Sequence, residues 1–267
     1  LYTVRAALRG TSVLVFAAFI KRMNIDEYKR MLTCLRRLLV AAGVDCKDMI
    51  FLTDFQKAVL RARKIVFKES KHHGCFVHFQ RAYNDQLKKK GMLEHLVDSQ
   101  ISTWVHRLRA LFFLPSSLYA SSGVLVVPVP STHTAHSKCV DWLAYFTNEW
   151  LSHPEELTNK YMQEKHRTTN IIESWHSRLD IAFPGGTHPM LFHVVSYLQK
   201  EELTDHKNLC FLDQNANYVF PGDNRDILRR QESFAPMAQF NNTFANTVPT
   251  LTQIEDYLDK MTQFCTR

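Results

Sequence analysis

The chain has 267 residues, of which 45% are apolar and 22% are charged. This balance is typical of a globular protein that buries a core, and it excludes a wholly disordered chain. Lysine and arginine outnumber aspartate and glutamate by 33 to 26, which gives a net charge of +7 with the 13 histidines neutral. A basic balance suits an anionic partner such as nucleic acid.

Membrane insertion and secretion are not predicted. The longest apolar run covers only residues 13–20, whereas a helix needs about 20 residues to cross a bilayer. No basic stretch followed by a longer apolar run opens the sequence, so we predict no signal peptide. The six cysteines are far apart in a chain large enough to fold without disulfides, which favours reduced intracellular thiols.

The first 43 residues predict a hairpin followed by a helix. Apolar and polar side chains alternate over residues 1–8, a turn sequence occupies 9–12, and residues 13–20 are apolar. This pattern predicts two antiparallel strands. The helix should begin after Asn24, with Glu27 three residues on, and it should end at Gly43.

Two further strands are predicted at 49–53 and 74–77, with a helix over 55–67 between them. Both strands are short, apolar and bounded by turn or helix signals. We expect them to join the hairpin in one sheet.

The rest of the chain is predicted to be mostly helical, over 82–115, 142–150 and 168–179. After residue 205 it becomes polar and rich in asparagine, which predicts a weakly structured tail with a short last helix near 254–264. The following residues should form an apolar interior rather than a platform for nucleic-acid bases: Trp104, Leu108, Leu111, Phe112, Trp142, Phe146 and Trp150.

Asp54 directly follows the predicted strand 49–53, at the edge where open α/β sheets bind their ligands. A carboxylate at this edge is a candidate for catalysis or metal binding. An aspartate just before Phe55 could equally cap the following helix by accepting bonds from its free backbone amides. The residues alone leave both interpretations open.

Cys75-x-x-His78 places two metal-ligating side chains at close spacing. A structural zinc site needs a second pair, and the run His133-x-x-His136-x-x-Cys139 is the available candidate. That run lacks the compact Cys-x-x-Cys pattern. The alternative is a packed cysteine next to a hydrogen-bonded histidine.

Glu173 and His176 are spaced i, i+3, so they share one face of the predicted helix 168–179. Trp175 lies between them, and two threonines and an asparagine precede them. Helix capping explains the threonines and the asparagine but not the glutamate. Glu173 is therefore a candidate for chemistry.

Four segments resemble one family in the same order, namely 51–58, 74–79, 108–115 and 167–179. They carry Leu-Thr-Asp-Phe, Gly-Cys-Phe-Val-His, Leu-Phe-Phe-Leu-Pro and Ile-Glu-Ser-Trp-His, respectively. In these segments the chain resembles the Mutator-like element (MULE) transposases. Residues 1–4 are also similar to the strand that follows the first catalytic motif of that family.

The resemblance implies an α/β fold with a ribonuclease-H-like (integrase-type) mixed sheet and a helical insertion, truncated at its N-terminus. The implied core comprises 1–80 and 166–185. Residues 81–165 would form the helical insertion, and 186–267 would form a C-terminal helix and a weakly structured tail.

The resemblance also implies roles for single residues. Asp54 and Glu173 match the second and third catalytic carboxylates, which would approach each other and hold Mg²⁺ or Mn²⁺ for phosphodiester cleavage and strand transfer. Cys75 and His78 match the Cys-x-x-His element of the family, and His176 matches the histidine after the catalytic glutamate. These three residues would support the site.

One departure from the family pattern limits the implied activity. The first catalytic aspartate of the family lies on its first strand, and no aspartate on a predicted strand precedes Asp54 here. In the usual strand order 3-2-1-4-5 the missing strand would lie between 1–8 and 49–53. We therefore expect this chain alone not to cut or join DNA.

Three functions follow. The first is the catalytic region of a DNA transposase, complete only with further upstream sequence. The second is a domesticated or degenerate copy that binds DNA or protein without catalysis, and the third is a zinc-dependent hydrolase built on Cys75, His78, Glu173 and His176. The first two imply a nuclear protein whose partner is DNA and which does not bind a membrane. They are compatible with a homo-oligomer. The basic residues expected to contact DNA are Arg61, Arg63, Lys64, Lys71, Lys165 and Arg167.

Overall fold

The protein is a mixed α/β chain with small sheets and many helices. It forms two compact units. The first unit comprises Leu1–Met49, Gln56–Ser70 and Thr169–Asn224, and the second comprises Ile50–Phe55, Lys71–Thr168 and Arg225–Arg267. The computed structural model describes residues 1–164, 167–168, 170–184, 189–221 and 224–265, with the backbone alone at 170–171 and 224–226.

In these described ranges the strands are Tyr2–Leu8 (β1), Thr11–Ala18 (β2), Ile50–Thr53 (β3) and Lys71–Gly74 (β4). The helices are Ile25–Ala41 (α1), Lys57–Val66 (α2), Phe76–Lys89 (α3), Ser99–Ala110 (α4), His136–Phe146 (α5), Glu155–Thr158 (α6), Asn170–Ala182 (α7), Leu191–Gln214 (α8), Asn224–Thr243 (α9) and Leu251–Thr262 (α10).

The predicted hairpin is confirmed. Strands β1 and β2 pair antiparallel along their whole length, with one irregularity between Val4 and Arg5. The turn consists of Arg9 and Gly10, whose φ angles are 40° and 84°. Glycine adopts this left-handed region more readily than any other residue, so the local sequence sets the turn and with it the strand register.

The turn is also held by the chain that follows α8. The backbone N–H of Phe220 donates to the Arg9 carbonyl at 2.8 Å. The Arg9 guanidinium donates to the carbonyl oxygens of Leu212 and Ala216 at 3.1 and 2.9 Å. A Cβ atom at Gly10 would overlap the Phe220 carbonyl oxygen. Gly10 is therefore required for space as well as for its φ angle.

A buried ion pair joins the hairpin to α8 within the first unit. Arg5 donates through Nη2 to both carboxylate oxygens of Asp205, at 3.1 and 2.9 Å. The backbone N–H of Leu14 donates to the same carboxylate at 2.7 Å, and Arg5 Nε donates to Ser12 Oγ at 3.0 Å. The Arg5 guanidinium also lies 5.5 Å from the centre of the buried Trp175 ring. These contacts connect β1, β2, α7 and α8.

The second strand pair differs from the sequence prediction. Strands β3 and β4 pair in parallel, from Ile50 opposite Lys71 to Thr53 opposite Gly74. The prediction of a strand at 74–77 is wrong, because β4 ends at Gly74 and α3 begins at Phe76. The buried aromatic residues of α3 recur at helical rather than alternating spacing, and packing them requires a helix.

The expected single sheet is not observed in the part of the chain that the structure describes. The strands there form two separate sheets, β1–β2 and β3–β4.

Aromatic side chains form the core of the second unit. The rings of Trp142 and Tyr83 meet edge to face at 4.8 Å, and those of Trp150 and Phe79 do so at 4.7 Å. The predicted apolar interior is confirmed, since each of its residues is at most 4% exposed: Trp104, Leu108, Leu111, Phe112, Trp142, Phe146 and Trp150.

The prediction of a weakly structured tail is not met, because the described part of 186–267 contains the helices α8, α9 and α10. Residues Ile254, Tyr257, Leu258 and Met261 of α10 are buried, and a capping box between Thr250 and Gln253 begins that helix. The overall polar composition of this region did not indicate the apolar stripe on α10. None of the helices in the described ranges combines the length and apolar character that a membrane crossing requires.

Lys160 is a buried cation in the second unit. The whole residue is 1% exposed, and its Nζ donates to the Leu157 carbonyl at 3.2 Å. Among the described residues, no carboxylate forms an ion pair with it. Burial, together with repulsion by Arg167, lowers the pKa of Lys160 to about 7, although Cys75 acts in the opposite direction.

Lys160 should therefore make the stability of the protein depend on pH. Between pH 7 and 9 the unfolded chain keeps the Lys160 proton and the folded protein releases it, so the free energy of unfolding rises with pH. The slope should reach at most about 1.4 kcal/mol per pH unit, and Lys160→Met should remove it. Urea unfolding of both proteins at pH 7, 8 and 9 measures this difference. An identical pH dependence of the two proteins would contradict the assignment.

Gly10 and Gly43 provide a matched pair that separates backbone strain from crowding. Their φ angles are +84° and +77°, but a Cβ atom at Gly43 would meet no atom within 4 Å. Gly43→Ala should lower the free energy of unfolding by about 1–2 kcal/mol, because alanine must adopt the left-handed conformation. Gly10→Ala should lower it by about 1–3 kcal/mol more, because the Phe220 carbonyl must also move. Chemical denaturation measures both losses, and equal losses would show that the turn is not tightly packed.

Candidate functional site

The candidate site of the second unit lies at the carboxyl ends of β3 and β4. Asp54 follows β3 and is exposed, and Cys75 follows β4 and is fully buried. The strands are parallel and their last residues, Thr53 and Gly74, are direct partners. Both site residues therefore leave the sheet at the same edge, which is where open α/β sheets bind ligands.

Close packing holds this edge in place. The backbone N–H of Cys75 donates to the Thr53 carbonyl at 2.8 Å. A Cβ atom at Gly74 would overlap the Phe55 ring and would lie 2.8 Å from the Leu157 carbonyl oxygen. Only glycine fits at the end of β4, so the sequence Gly-Cys at this position has a steric cause.

His72 supports the same edge, and the sequence analysis missed it. Its Nε2 lies 2.8 Å from Thr53 Oγ1, and the side chain is buried within β4. Burial alternates along this strand, with Lys71 exposed and His72 buried. The sequence Lys-His-His-Gly has no apolar alternation, so it gave no signal for a strand here, and the strand was predicted three residues too late.

The helix-cap interpretation of Asp54 is wrong. Helix α2 begins at Lys57, and its N-cap residue is Gln56. The Gln56 side chain accepts a hydrogen bond from the Tyr28 hydroxyl at 2.9 Å instead of capping the helix. Asp54 therefore lies two residues before the N-cap position.

Cys75 and His78 are brought together at the start of α3. Cys75 is the N-cap residue, His78 is half-buried in the first turn, and the thiol sulfur lies within 4.8 Å of a ring nitrogen of His78. The thiol makes no capping hydrogen bond to the helix. The two side chains are close enough to share a ligand or to support a neighbouring one.

The second pair that a structural zinc site would need does not form in the described residues. His133 Nε2 lies 3.4 Å from a carboxylate oxygen of Asp98, and His136 Nδ1 lies 2.9 Å from the Val129 carbonyl. Cys139 is fully buried in the aromatic core. These contacts are those of a packed helix start, so the zinc interpretation of this run has no structural support.

Glu173 and His176 belong to the first unit, on α7. Glu173 is half-buried and His176 is exposed. Trp175 between them is 1% exposed and packs against Val194 and Leu198 of α8. Burial of this tryptophan fixes the rotation of α7 and therefore the direction in which Glu173 and His176 leave the helix.

The predicted DNA-binding residues fall into two groups. Arg61, Lys64 and Lys71 are exposed, as a phosphate contact requires. Arg63 is 6% exposed and donates to the Ser70 carbonyl at 2.8 Å, so its guanidinium binds the chain that follows α2. Lys165 lies outside the described residues.

Arg167 makes contacts inside the second unit. It is 9% exposed, and it donates to Ser233 Oγ at 2.6 Å and to the Arg230 carbonyl at 3.5 Å. Burial and the neighbouring Arg230 and Arg229 lower the pKa of Arg167 to about 10. The guanidinium therefore joins α9 to the chain before α7.

Comparison with known proteins bears on the first part of the chain. Residues 3–82 match the family model of the MULE transposase domain, a stretch of well under half the chain. No curated protein and no solved structure matches the chain. The family match confirms that the chain resembles the Mutator-like transposases, and it places that resemblance in the segment that holds Asp54, Cys75 and His78.

Proposed function

We propose that this chain is a DNA transposase region of Mutator-like type, in which Asp54 and Glu173 bind divalent cations. One observation carries the proposal: Asp54 is exposed at the carboxyl edge of the β3–β4 pair, inside the segment that matches the transposase domain. The N-cap position of α2 belongs to Gln56, so Asp54 is not the N-cap residue of that helix.

We propose a ribonuclease-H-like core for the same region. In the strand order 3-2-1-4-5, strands 2 and 3 are neighbours and strands 4 and 5 are neighbours. In this proposal strand 1 of the order is the missing strand, so β1 and β2 correspond to strands 2 and 3, and β3 and β4 correspond to strands 4 and 5. The observed pairs β1–β2 and β3–β4 agree with these two neighbour relations. The helix α2 between two parallel strands agrees with a crossover connection, which parallel strands require.

The donor chemistry at Asp54 fits Mg²⁺ or Mn²⁺. These ions prefer hard oxygen ligands, and an exposed carboxylate can bind one without the cost of burying a charge. Such ions activate a water or hydroxyl and stabilise the leaving oxygen in phosphodiester chemistry. Cys75 offers a soft, fully buried sulfur, so in this proposal Cys75, His78 and His176 support the carboxylates rather than replace them.

A second function, binding without catalysis, is favoured by one observation. Strands β1 and β2 contain no carboxylate, so they supply no first aspartate for a set of three. Two carboxylates can hold a cation, but catalysis by two metals depends on positioning charge around the reacting phosphate. We therefore propose that this chain alone binds cations and DNA and does not cleave DNA.

The proposed partner is DNA, bound through the exposed Arg61, Lys64 and Lys71. Each can neutralise a phosphate without giving up a buried hydrogen bond, unlike Arg63 and Arg167. A protein that acts on genomic DNA works where that DNA is, so the proposal includes a nuclear location.

Removal of the Asp54 carboxylate should weaken binding of Mn²⁺. Asp54→Asn should lower the affinity by at least about tenfold, since removal of a ligand costs no less than removal of a supporting group. Glu173→Gln should act in the same direction. Asp141→Asn removes an exposed carboxylate from α5 and serves as the control with unchanged affinity. Isothermal titration calorimetry measures all four proteins.

Equal Mn²⁺ affinity in Asp54→Asn and the parent chain would contradict the assigned ligand. A plasmid-nicking assay with Mg²⁺ and Mn²⁺ tests the other part of the proposal. Robust nicking that disappears in Asp54→Asn would show that another residue of the chain supplies the missing carboxylate.

The three exposed cations should contribute to DNA binding by neutralising phosphates. Arg61→Ala, Lys64→Ala and Lys71→Ala should each weaken DNA binding, and the loss should be the same for duplexes of different sequence. The slope of log K against log[salt] should become shallower by about 0.9 for each phosphate that the variant no longer neutralises. Lys260→Ala removes an exposed cation from α10 and should leave the slope unchanged. Fluorescence anisotropy over a salt series provides the slopes, and a slope unaffected by all three variants would place the DNA elsewhere.

A further inference from the structure

His206 and Cys210 form an exposed pair on α8 that the proposed function does not use. They are spaced i, i+4, so they lie on one helix face one turn apart. The Cys210 sulfur and His206 Nε2 are 3.6 Å apart, and both residues are exposed. Two soft metal donors are thus held in solvent by a regular helix.

The separation of these two atoms is the one that a tetrahedral zinc ion requires. Zinc binds cysteine sulfur at about 2.3 Å and histidine nitrogen at about 2.0–2.1 Å. At a tetrahedral angle these bond lengths place the two donor atoms about 3.5–3.6 Å apart. The observed 3.6 Å matches this separation, so the spacing of the two donor atoms fits one zinc ion.

The pair supplies only half of a zinc coordination shell. A structural zinc site has four protein ligands. Among the residues that the structure describes, no third histidine, cysteine or carboxylate donor lies within 4.8 Å of both atoms. A second copy of the chain, related by a two-fold axis, would contribute the same two residues and complete a Cys₂His₂ site.

The face of α8 that carries the pair is free for such a contact within the first unit. Val194, Leu198, Asp205 and Leu212 are the buried residues of α8. Leu203 precedes Cys210 by seven residues, so it lies on the same face, and it is 62% exposed. A second copy packed along this face would cover an apolar side chain next to the metal donors.

We propose that a zinc ion bridges two copies of this chain through His206 and Cys210 of each copy. This zinc site is independent of the cation proposed at Asp54 and Glu173. It makes the exposed face of α8 a dimer interface that depends on metal.

Sedimentation velocity and Co²⁺ absorption test the proposal on the full chain. With Zn²⁺ the protein should sediment as a dimer holding about 0.5 ion per chain at this site, and EDTA should return it to the monomer. Co²⁺ in place of Zn²⁺ should give a sulfur-to-metal charge-transfer band and tetrahedral d–d bands. Cys210→Ser and His206→Ala should abolish dimer and bands together.

Two controls separate this site from other metal binding. Cys34→Ser removes another exposed thiol and should change neither readout. Asp54→Asn should leave the dimer intact, so failure of the Mn²⁺ proposal would not affect this one. A protein that stays monomeric in excess Zn²⁺ would overturn the proposal, as would bands that persist in Cys210→Ser. One ion bound by Cys210 in a monomer would overturn it too.

Discussion

The parallel pairing of β3 with β4 is the constraint on which the candidate site depends. Each strand has four residues, so few hydrogen bonds set the register. A slip of one residue would turn every side chain to the opposite face of the sheet. Gly74 prevents such a slip, because the Phe55 ring and the Leu157 carbonyl occupy the space that any other side chain would need. Asp54 and Cys75 therefore leave the sheet at one edge because of steric fit, and the proposed cation site depends on that fit.

The buried Arg5–Asp205 pair has the corresponding role in the first unit. Removal of two charges from water costs several kcal/mol for each ion, and only good geometry offsets that cost. Here Asp205 accepts two bonds from Arg5 and one from the Leu14 backbone. Because Asp205 must face inward, the rotation of α8 is fixed. His206 and Cys210 are exposed for the same reason that Asp205 is buried.

Sequence patterns predicted those parts of the molecule in which local and tertiary preferences agree. The hairpin followed from alternation and from Arg9-Gly10, and the aromatic core followed from helical spacing. The pattern failed where neighbours decide the structure. Lys71–Gly74 is too polar to look like a strand, but parallel pairing with β3 and the buried His72 make it one. The strand-end position made Asp54 a candidate and the family resemblance matched it to a catalytic carboxylate, but the local sequence could not exclude a helix cap. Only the position of Gln56 decides that question.

Burial also changes what the net charge of +7 means. Arg5, Arg63, Arg109, Lys160 and Arg167 are all at most 9% exposed. These cations bind backbone carbonyls, a carboxylate or side-chain oxygens within the fold. They add to the formal charge, but they cannot neutralise a DNA phosphate without breaking those hydrogen bonds. The charge available for nucleic-acid binding is therefore that of the exposed cations rather than the excess of the whole chain. Arg61, Lys64 and Lys71 are exposed.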